Sequence, residues 1–216
     1  NGAAAGVDVR GSAPGTRETD LLRGYNIVDR IHGLLFSGGS AFGLDAASGV
    51  MQYLEERGIG FDSGILKVPI VPASVIFDLT VGNAKMHPGK SEGYQACVNA
   101  STVPLSSGNV GAGTGATVGK AFGLTYAMKG GVGNALVRLD GDVLVAAMVI
   151  VNALGDVYDP SNGQIMAGAV KDGQFLLCNE FTDMSSASFG NTTIGAVATN
   201  ANLTREEANK LAAAAH

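Results

Sequence analysis

Basic charge and long apolar runs are both scarce in this chain of 216 residues. Charged residues make up only 15% of it, and the formal net charge of -5 leaves no basic stripe to follow a phosphate backbone. The longest apolar run, residues 143–151, has the length of a strand and not the roughly 18 to 20 residues of a membrane-spanning helix. We therefore expect neither a nucleic acid nor a membrane among its partners.

Histidine and cysteine are also few, with three of the former and two of the latter. His32, His87 and His216 lie far apart and lack the spacing of zinc ligands, so we expect no metal site. Cys97 and Cys178 form no CxxC motif and no framework of closely spaced pairs. Isolated cysteines are typical of buried thiols in a reducing compartment, which predicts a cytoplasmic protein.

Apolar residues and glycine are abundant instead. Hydrophobic residues make up 46% of the chain, and its 32 glycines are well above the usual share of about 7%. This composition predicts one globular domain over residues 1–216 with many tight turns and close backbone contacts. The chain starts at Asn1 and stops inside an alanine-rich helical run, so we expect segments to be missing at both ends.

Residues 189–200 (FGNTTIGAVATN) change character at Thr192. Small, flexible residues lead up to Asn191, and the pattern from Thr192 onwards is β-branched and apolar, which predicts a buried strand. A hydroxyl residue at the start of such a strand is well placed to be a nucleophile. Since threonine is also common in strands, a strand that simply begins with two threonines is the alternative.

Residues 31–58 predict a strand, a glycine-rich turn and a helix in succession. The strand covers residues 31–36, and the helix covers residues 44–57 and ends at Gly58. Positions spaced by three and four residues give that helix one apolar face.

The turn between them, residues 37–43 (SGGSAFG), allows three interpretations. It lacks the middle glycine of a dinucleotide-binding fingerprint, which excludes that motif. It matches the nucleophile elbow G-x-S-x-G only approximately, because Phe42 occupies the last position, so Ser40 is the second candidate for the nucleophile. In the third interpretation Gly39 and Ser40 form a wall of a substrate site, and backbone N–H groups at the helix start act as donors.

Residues 108–120 (GNVGAGTGATVGK) resemble a phosphate-binding loop at first sight. The motif G-x-x-x-x-G-K-[ST] would need glycine at Thr114 and serine or threonine at Ala121, so an NTPase is not expected. What survives is Lys120 at the end of a glycine-rich segment, where backbone can approach a ligand closely. A lysine on the protein surface is the alternative.

Residues 135–139 and 142–151 flank Asp140-Gly141, a strong signal for a β-hairpin. The second strand is almost wholly apolar and leads directly into Asn152. The amide of Asn152 is either part of a turn, where asparagine is common, or a donor oriented toward a site.

The remaining segments mix strands and helices. Residues 4–10 alternate like a strand, residues 91–100 have weak helical character, and residues 164–190 show little regular pattern and look like an exposed connection. A capping box of Thr204 with Glu207 begins a final helix. The order of elements predicts an α/β or α+β domain built in layers.

Four segments carry a family resemblance: residues 6–20 (GVDVRGSAPGTRETD), 35–44 (LFSGGSAFGL), 67–72 (KVPIVP) and 190–194 (GNTTI). Through them the chain is similar, over nearly its whole length, to the DmpA-type aminopeptidases. These include L-aminopeptidase/D-esterases, β-peptidyl aminopeptidases and the endo-type 6-aminohexanoate-oligomer hydrolase. The resemblance implies a self-processing hydrolase with an N-terminal nucleophile, a four-layer αββα fold and a homotetramer.

The same resemblance implies roles for particular residues. Thr192 matches the nucleophile, freed by cleavage between Asn191 and Thr192, and Lys120 and Asn152 match the other catalytic residues. Phe77 occupies a place where some relatives have a tyrosine near the substrate, so a hydroxyl role is lost there. We expect Phe77 to line the substrate site together with the turn that contains Gly39 and Ser40. Relatives also continue past the final helix into a segment with acidic site residues.

The chemistry of such a site is coherent. A threonine hydroxyl is a poor nucleophile until a base removes its proton, and a freed α-amino group has a pKa of about 7.7 to 8.0, so Thr192 can supply both groups. The Asn152 amide and glycine-rich backbone would stabilise an oxyanion, and Lys120 would add positive potential or hold the hydroxyl. We therefore expect an amide hydrolase that needs no cofactor and acts on a small peptide or peptide-like amide.

Two rival functions stay open. An acyltransferase would use the same threonine but pass the acyl group to an amine instead of water, and a catalytically inactive relative would keep the fold as a binding module. The substrate is also open among α-peptides, β-peptides, D-alanyl amides or esters and synthetic oligoamides.

Overall fold

The computed structural model describes residues 2–24, 26–103, 105–176 and 190–216. Three α-helices occur in these ranges: α1 (Ala46–Glu55), α2 (Lys90–Val98) and α3 (Arg205–Ala214). Short 3-10 helices cover Asp20–Leu22, Ser40–Asp45, Gly111–Gly113, Leu124–Tyr126 and Asp140–Asp142. None of the helices in the described ranges is long and apolar enough to cross a membrane.

Most of the strands are short. In the first half of the chain they are β1 (Ala3–Ala4), β2 (Thr16–Arg17), β3 (Arg30–Ile31), β4 (Leu35–Ser37), β5 (Phe61–Asp62), β6 (Lys67–Val68) and β7 (Ala73–Val75). In the second half they are β8 (Thr117–Val118), β9 (Met128–Lys129), β10 (Gly131–Arg138), β11 (Leu144–Asn152), β12 (Val157–Tyr158), β13 (Ile165–Ala167), β14 (Val170–Lys171), β15 (Gln174–Phe175) and β16 (Thr192–Thr199).

The first main sheet has the strand order β2-β7-β4. Strand β7 pairs in parallel with β4 and antiparallel with β2. The apolar face of α1 packs onto this sheet and forms a buried cluster of Ala47, Val50, Leu54, Val71 and Ala73. The helix thus buries the face that its sequence periodicity predicts.

The second main sheet has the order β10-β11-β16 and is antiparallel throughout. Strands β10 and β11 form the expected hairpin, and Gly141 at its turn has a positive φ of 71°, which glycine adopts without strain. Strand β16 is an edge strand whose residues alternate between half-buried and exposed along much of its length, so it is less buried than its apolar sequence predicts.

A second core lies between the two sheets. It contains the buried residues Ile76, Ala116, Val132 and Ile150, with Phe36 and Ile194 packed against them. Since α1 covers the first sheet, α2 packs against α1, and α3 packs against β16, the layers form the four-layer αββα sandwich that the resemblance implies.

The helices α1 and α2 cross at two glycines. A Cβ added at Gly49 would lie 1.9 Å from the carbonyl oxygen of Lys90, and one added at Gly93 would lie 1.8 Å from that of Ala46. Any side chain at these positions would force the helices apart. The two glycines therefore allow the close approach of the helix pair.

Helix α3 begins with the expected capping box, in which the Thr204 side chain accepts the Glu207 N–H. It is tied to the N-terminal segment through Asn209. The Asn209 side chain accepts the Val7 N–H at 3.0 Å and donates to the Leu22 carbonyl at 2.9 Å. These contacts dock the last helix onto the first residues of the chain.

The strand pattern differs from the sequence-based prediction in three places. Among residues 2–10 only Ala3–Ala4 form a strand, because the Val7 N–H bonds the Asn209 side chain and not a neighbouring strand. The strand predicted over 31–36 is split, since the N–H groups of His32 and Gly33 both donate to the Ile70 carbonyl. Three short strands occupy much of 165–175, where little regular structure was predicted.

Of the two cysteines, Cys97 lies in the described part of the chain. Cys97 is a partly buried free thiol whose burial raises its pKa. Cys178 and the rest of the predicted connection over 177–189 lie outside the described residues.

Candidate active site

Asn152 and Thr192 are direct partners in the antiparallel ladder of the second sheet, the last residue of β11 opposite the first residue of β16. Directly opposed residues point their side chains to the same face of a sheet. Ile150 lies two residues before Asn152 in β11, and Ile194 lies two residues after Thr192 in β16. Both isoleucines belong to the core between the sheets. The side chains of Asn152 and Thr192 therefore face the same space between the two sheets, at one end of it.

Lys120 reaches this point from the glycine-rich segment. Its backbone N–H donates to the Leu154 carbonyl at 2.7 Å, just beyond the end of β11. The preceding Gly119 has a φ of 69°, and a Cβ there would lie 2.1 Å from the Ala169 backbone nitrogen. The glycine thus lets the chain pass close to residues 168–169, and Lys120 is only 2% exposed. A surface lysine is excluded.

The ammonium group of Lys120 has three oxygen acceptors. Nζ donates to the carbonyl oxygen of Asn152 at 3.1 Å, to its side-chain Oδ1 at 2.9 Å and to the carbonyl oxygen of Gly190 at 2.9 Å. These match the three N–H donors of a protonated lysine. Desolvation by burial lowers the Lys120 pKa from 10.5 to about 8. The group is therefore mostly charged at neutral pH but much easier to deprotonate than a surface lysine.

The side-chain amide of Asn152 is fully buried and fully bonded. Oδ1 accepts from Lys120 and from the backbone N–H of Thr117 at 3.1 Å. Nδ2 donates to the carbonyl oxygen of Phe77 at 2.9 Å and to that of Gly190 at 3.1 Å. Because donors and acceptors cannot be exchanged, these contacts fix the amide orientation. Asn152 lies in the strand ladder and is not a turn residue.

Phe77 and the Gly39–Ser40 turn lie beside this cluster. The Phe77 carbonyl accepts from Asn152, and its ring lies where a side chain at Gly190 would be. The N–H of Gly39 donates to the Asp78 carboxylate at 2.7 Å, and that of Ser40 donates to the Ile76 carbonyl at 3.0 Å. These two N–H groups are thus used within the protein and are not open donors.

A cavity of about 510 Å³ opens next to the turn. Its walls come from residues 35–39, the segment 78–88, α2 and residues 111–115. Its described lining contains two carboxylates, those of Asp78 and Glu92, and no basic side chain. This space suits a neutral or cationic ligand better than an anionic one.

Three residues of this region have roles that the sequence did not predict. Thr117 orients Asn152, Asp78 holds the Gly39 turn, and Gly190 offers its carbonyl to Lys120 and Asn152. Thr117 lies inside the glycine-rich segment and Asp78 directly follows Phe77, so adjacency to candidate residues was a usable signal. The role of the Gly190 carbonyl left no signal, because a backbone acceptor has no side chain to read.

The whole chain, residues 1–216, matches the model of peptidase family S58. The chain belongs to this family. A protein of Mycobacterium tuberculosis (strain ATCC 25618 / H37Rv) that bears the name uncharacterized aminopeptidase is 44% identical over 230 residues, which cover 100% of this chain and 63% of the relative. A 6-aminohexanoate-oligomer endohydrolase of Kocuria sp. (strain KY2) is 31% identical over 225 residues, covering 100% and 60%. The chain thus spans less than two thirds of the length of these S58 relatives.

Two solved structures share the fold. The PH0078 protein from Pyrococcus horikoshii OT3 superposes with a TM-score of 0.66 at 21% identity, over 97% of this chain and 53% of that protein. A Burkholderia sp. beta-aminopeptidase superposes with a TM-score of 0.61 at 18% identity, over 96% and 52%. These matches confirm the DmpA-type family and the fold class that the sequence of this chain predicts.

Proposed function

We propose that this S58 protein is a self-processing amide hydrolase in which cleavage between Asn191 and Thr192 releases Thr192 as an N-terminal nucleophile. One observation carries the proposal. Thr192 opens β16 directly opposite the buried Asn152, with the buried Lys120 bonded to the same asparagine. A buried lysine beside an oriented amide at the start of a strand is a costly arrangement for a purely structural purpose.

Self-cleavage would begin with attack of the Thr192 hydroxyl oxygen on the Asn191 carbonyl carbon. A C–O bond forms, the C–N bond of the peptide breaks, and the hydroxyl proton passes to the departing nitrogen, which becomes the α-amine of Thr192. The product is an ester of the Asn191 acyl group on the Thr192 side chain. Water then hydrolyses this ester and leaves a carboxylate on Asn191 and a free hydroxyl on Thr192.

Turnover would repeat the acyl transfer on an external amide. The α-amine of Thr192 takes the hydroxyl proton, the hydroxyl oxygen attacks the substrate carbonyl, and the leaving amine receives the proton. Water hydrolyses the resulting acyl-enzyme ester. The positive charge of Lys120 would disfavour protonation of the Thr192 α-amine, so more of that amine would be in the neutral form that acts as a base.

Asn152 would act as an oxyanion donor only after cleavage. In the uncut chain both N–H groups of its amide are bonded, one to Phe77 and one to Gly190. Departure of the segment that ends at Asn191 would free the second N–H. That donor then faces the space beside Thr192, where the carbonyl oxygen of an acyl group would lie.

The substrate class we propose is a small peptide or peptide-like amide. The names of two similar proteins, an oligoamide endohydrolase and a beta-aminopeptidase, support an amide substrate. The cavity beside the Gly39 turn, with the carboxylates of Asp78 and Glu92 in its largely apolar lining, would suit a substrate with a free amino group. Assembly as a homotetramer is part of the same proposal and rests on the family resemblance.

The decisive experiment is intact-mass analysis and N-terminal sequencing of the full-length protein and of Thr192→Ala. We expect the wild type to give a fragment that ends at Asn191 and one that begins with Thr192, and the variant to stay whole. Thr193→Ala is the matched control, because the neighbouring side chain points to the opposite face of β16 and is exposed.

Each outcome is informative. An uncut wild-type chain that nevertheless hydrolyses amides would contradict the proposed mechanism. Cleavage that persists in Thr192→Ala would identify another protease as its cause. Loss of cleavage in Thr193→Ala as well would point to a disturbed strand and not to a lost nucleophile.

A further inference from the structure

Gly190 lies two positions before Thr192, and its carbonyl oxygen is held by two buried donors. Lys120 Nζ donates to it at 2.9 Å and Asn152 Nδ2 at 3.1 Å. Both donor side chains are at most 2% exposed, so neither has water as an alternative partner. A hydrogen bond from a charged donor is roughly twice as strong as one between neutral groups. This carbonyl is therefore firmly anchored.

The backbone of residue 190 also requires glycine. Its φ is 92°, in the region that residues with an L side chain rarely adopt. A Cβ at this position would lie 2.1 Å from Cδ1 and 2.6 Å from Cγ of the Phe77 ring. Real Cβ atoms do not approach other atoms so closely. The conformation and the contact with Phe77 thus exclude a side chain independently of each other.

A single residue separates the two anchored points of this segment. The carbonyl of Gly190 is fixed by Lys120 and Asn152, and Thr192 is fixed by its pairing with Asn152 in the ladder. Only Asn191 lies between them. The hydrogen bonds to the Gly190 carbonyl and the strand pairing of Thr192 limit where the Asn191 carbonyl group can lie. The peptide bond to be attacked is therefore held within a small volume next to the Thr192 side chain.

We propose that Gly190 is a positioning residue for self-cleavage, and that Lys120, Asn152 and the Phe77 ring form a subsite that accepts the residue before Asn191 only when it lacks a side chain. This inference rests on the proposed cleavage after Asn191. Held in this way, the Asn191 carbonyl stays near the hydroxyl that attacks it, and orientation of reacting groups is worth large factors in rate. Phe77 acts here through the Cγ and Cδ1 atoms of its ring, which lie where the Cβ of a larger residue 190 would be.

The first test compares self-cleavage rates of the full-length wild type, Gly190→Ala and Gly141→Ala. We expect Gly190→Ala to cleave about 100-fold more slowly, since a displacement of about 1 Å at a reacting centre has that effect. Gly141→Ala is the matched control: Gly141 also has a positive φ, but a Cβ added there would meet nothing within 4 Å, and it lies at the hairpin end far from Asn152. It should lose stability and cleave at the wild-type rate.

A double-mutant cycle separates the steric contact from the backbone conformation. In a Phe77→Ala background, the substitution Gly190→Ala should slow cleavage at least tenfold less than it does with Phe77 present. Equal slowing in both backgrounds would overturn the Phe77 subsite. A wild-type rate in Gly190→Ala would overturn the whole inference, whereas an uncut wild type would instead refute the proposed function.

A second measurement covers the case in which Gly190→Ala does not fold. Calorimetric titration of the cleaved wild-type protein with acetyl-Gly-Asn and acetyl-Ala-Asn probes the same subsite without a variant. We expect the glycine peptide to bind at least tenfold more tightly, as expected for one excluded methyl group in a tight pocket. Equal affinity, or no binding of either peptide at the highest soluble concentration, would count against the subsite.

Discussion

The side-chain amide of Asn152 joins the two sheets of the sandwich by donating to the carbonyl oxygen of Phe77 at 2.9 Å. Asn152 ends β11 in the second sheet, and Phe77 lies two residues after β7 in the first. The same amide accepts from Lys120 and is opposite Thr192. The proposed catalytic groups therefore sit where the two sheets are bonded to each other, so changes there will affect folding as well as turnover.

The first prediction concerns Asn152→Ala. Loss of one oxyanion donor lowers kcat about 10²- to 10³-fold, and the unsatisfied partners left in the core cost about 1 to 3 kcal/mol of stability. Turnover kinetics and chemical denaturation measure the two effects. Asn134→Ala is the control, because that asparagine lies in β10 of the same sheet with an exposed side chain and should leave kcat unchanged. A normal kcat in Asn152→Ala would return Asn152 to a purely structural role.

The second prediction concerns Ser40→Ala. In the described part of the chain no hydrogen bond joins Ser40 to Lys120 or Asn152, so we expect kcat to fall by less than about tenfold. Removal of a covalent nucleophile would instead lower turnover by several orders of magnitude. A folded Ser40→Ala protein without detectable activity would favour the elbow interpretation over Thr192.

The third prediction uses the pH dependence of stability. The folded-state pKa of Lys120 is about 8, below its ordinary value of 10.5, because burial disfavours the charged form. Between these two values the unfolded chain keeps a proton that the folded chain has lost, so this residue makes the free energy of unfolding rise with pH. From pH 7.5 to 9.5 the expected contribution is about 2 kcal/mol.

The measurement is denaturant unfolding of the uncut Thr192→Ala protein at both pH values, with and without Lys120→Met. Other groups titrate in the same range, so the relevant quantity is the difference between the two proteins. Stability should rise by about 2 kcal/mol more when Lys120 is present. An identical pH dependence in both proteins would mean that the pKa of Lys120 is not lowered by the fold.

The fourth prediction concerns the crossing of α1 and α2. In Gly93→Ala the new methyl group would meet the Ala46 carbonyl, and overpacking of this kind costs about 1 to 3 kcal/mol. The loss should exceed the gain of about 1 kcal/mol that alanine brings within a helix. Thermal unfolding is the measurement, and Gly155→Ala, with open space around it, is the control. Unchanged stability would show that the helices separate without loss.

Local sequence signals predicted several elements correctly. Asp140-Gly141 predicted the hairpin of β10 and β11, and the change of pattern at Thr192 predicted the first residue of β16. The capping box of Thr204 and Glu207 predicted the start of α3. Each of these depends on residues within a few positions of one another, which is why sequence alone suffices. The strand predicted over residues 31–36 was wrong in extent because the N–H groups at its middle bond to Ile70, far along the chain.

The sequence by itself determined the family, the layered mixture of strands and helices, and Thr192, Lys120 and Asn152 as the candidate catalytic residues. It left open whether Lys120 was a surface residue and whether Asn152 was part of a turn. Tertiary structure alone decided these points, because the acceptors of Lys120 lie 32 and 70 positions away and are mostly backbone carbonyls. Such carbonyls exist at every residue, so only the folding of distant segments against each other selects the ones that hold a buried charge.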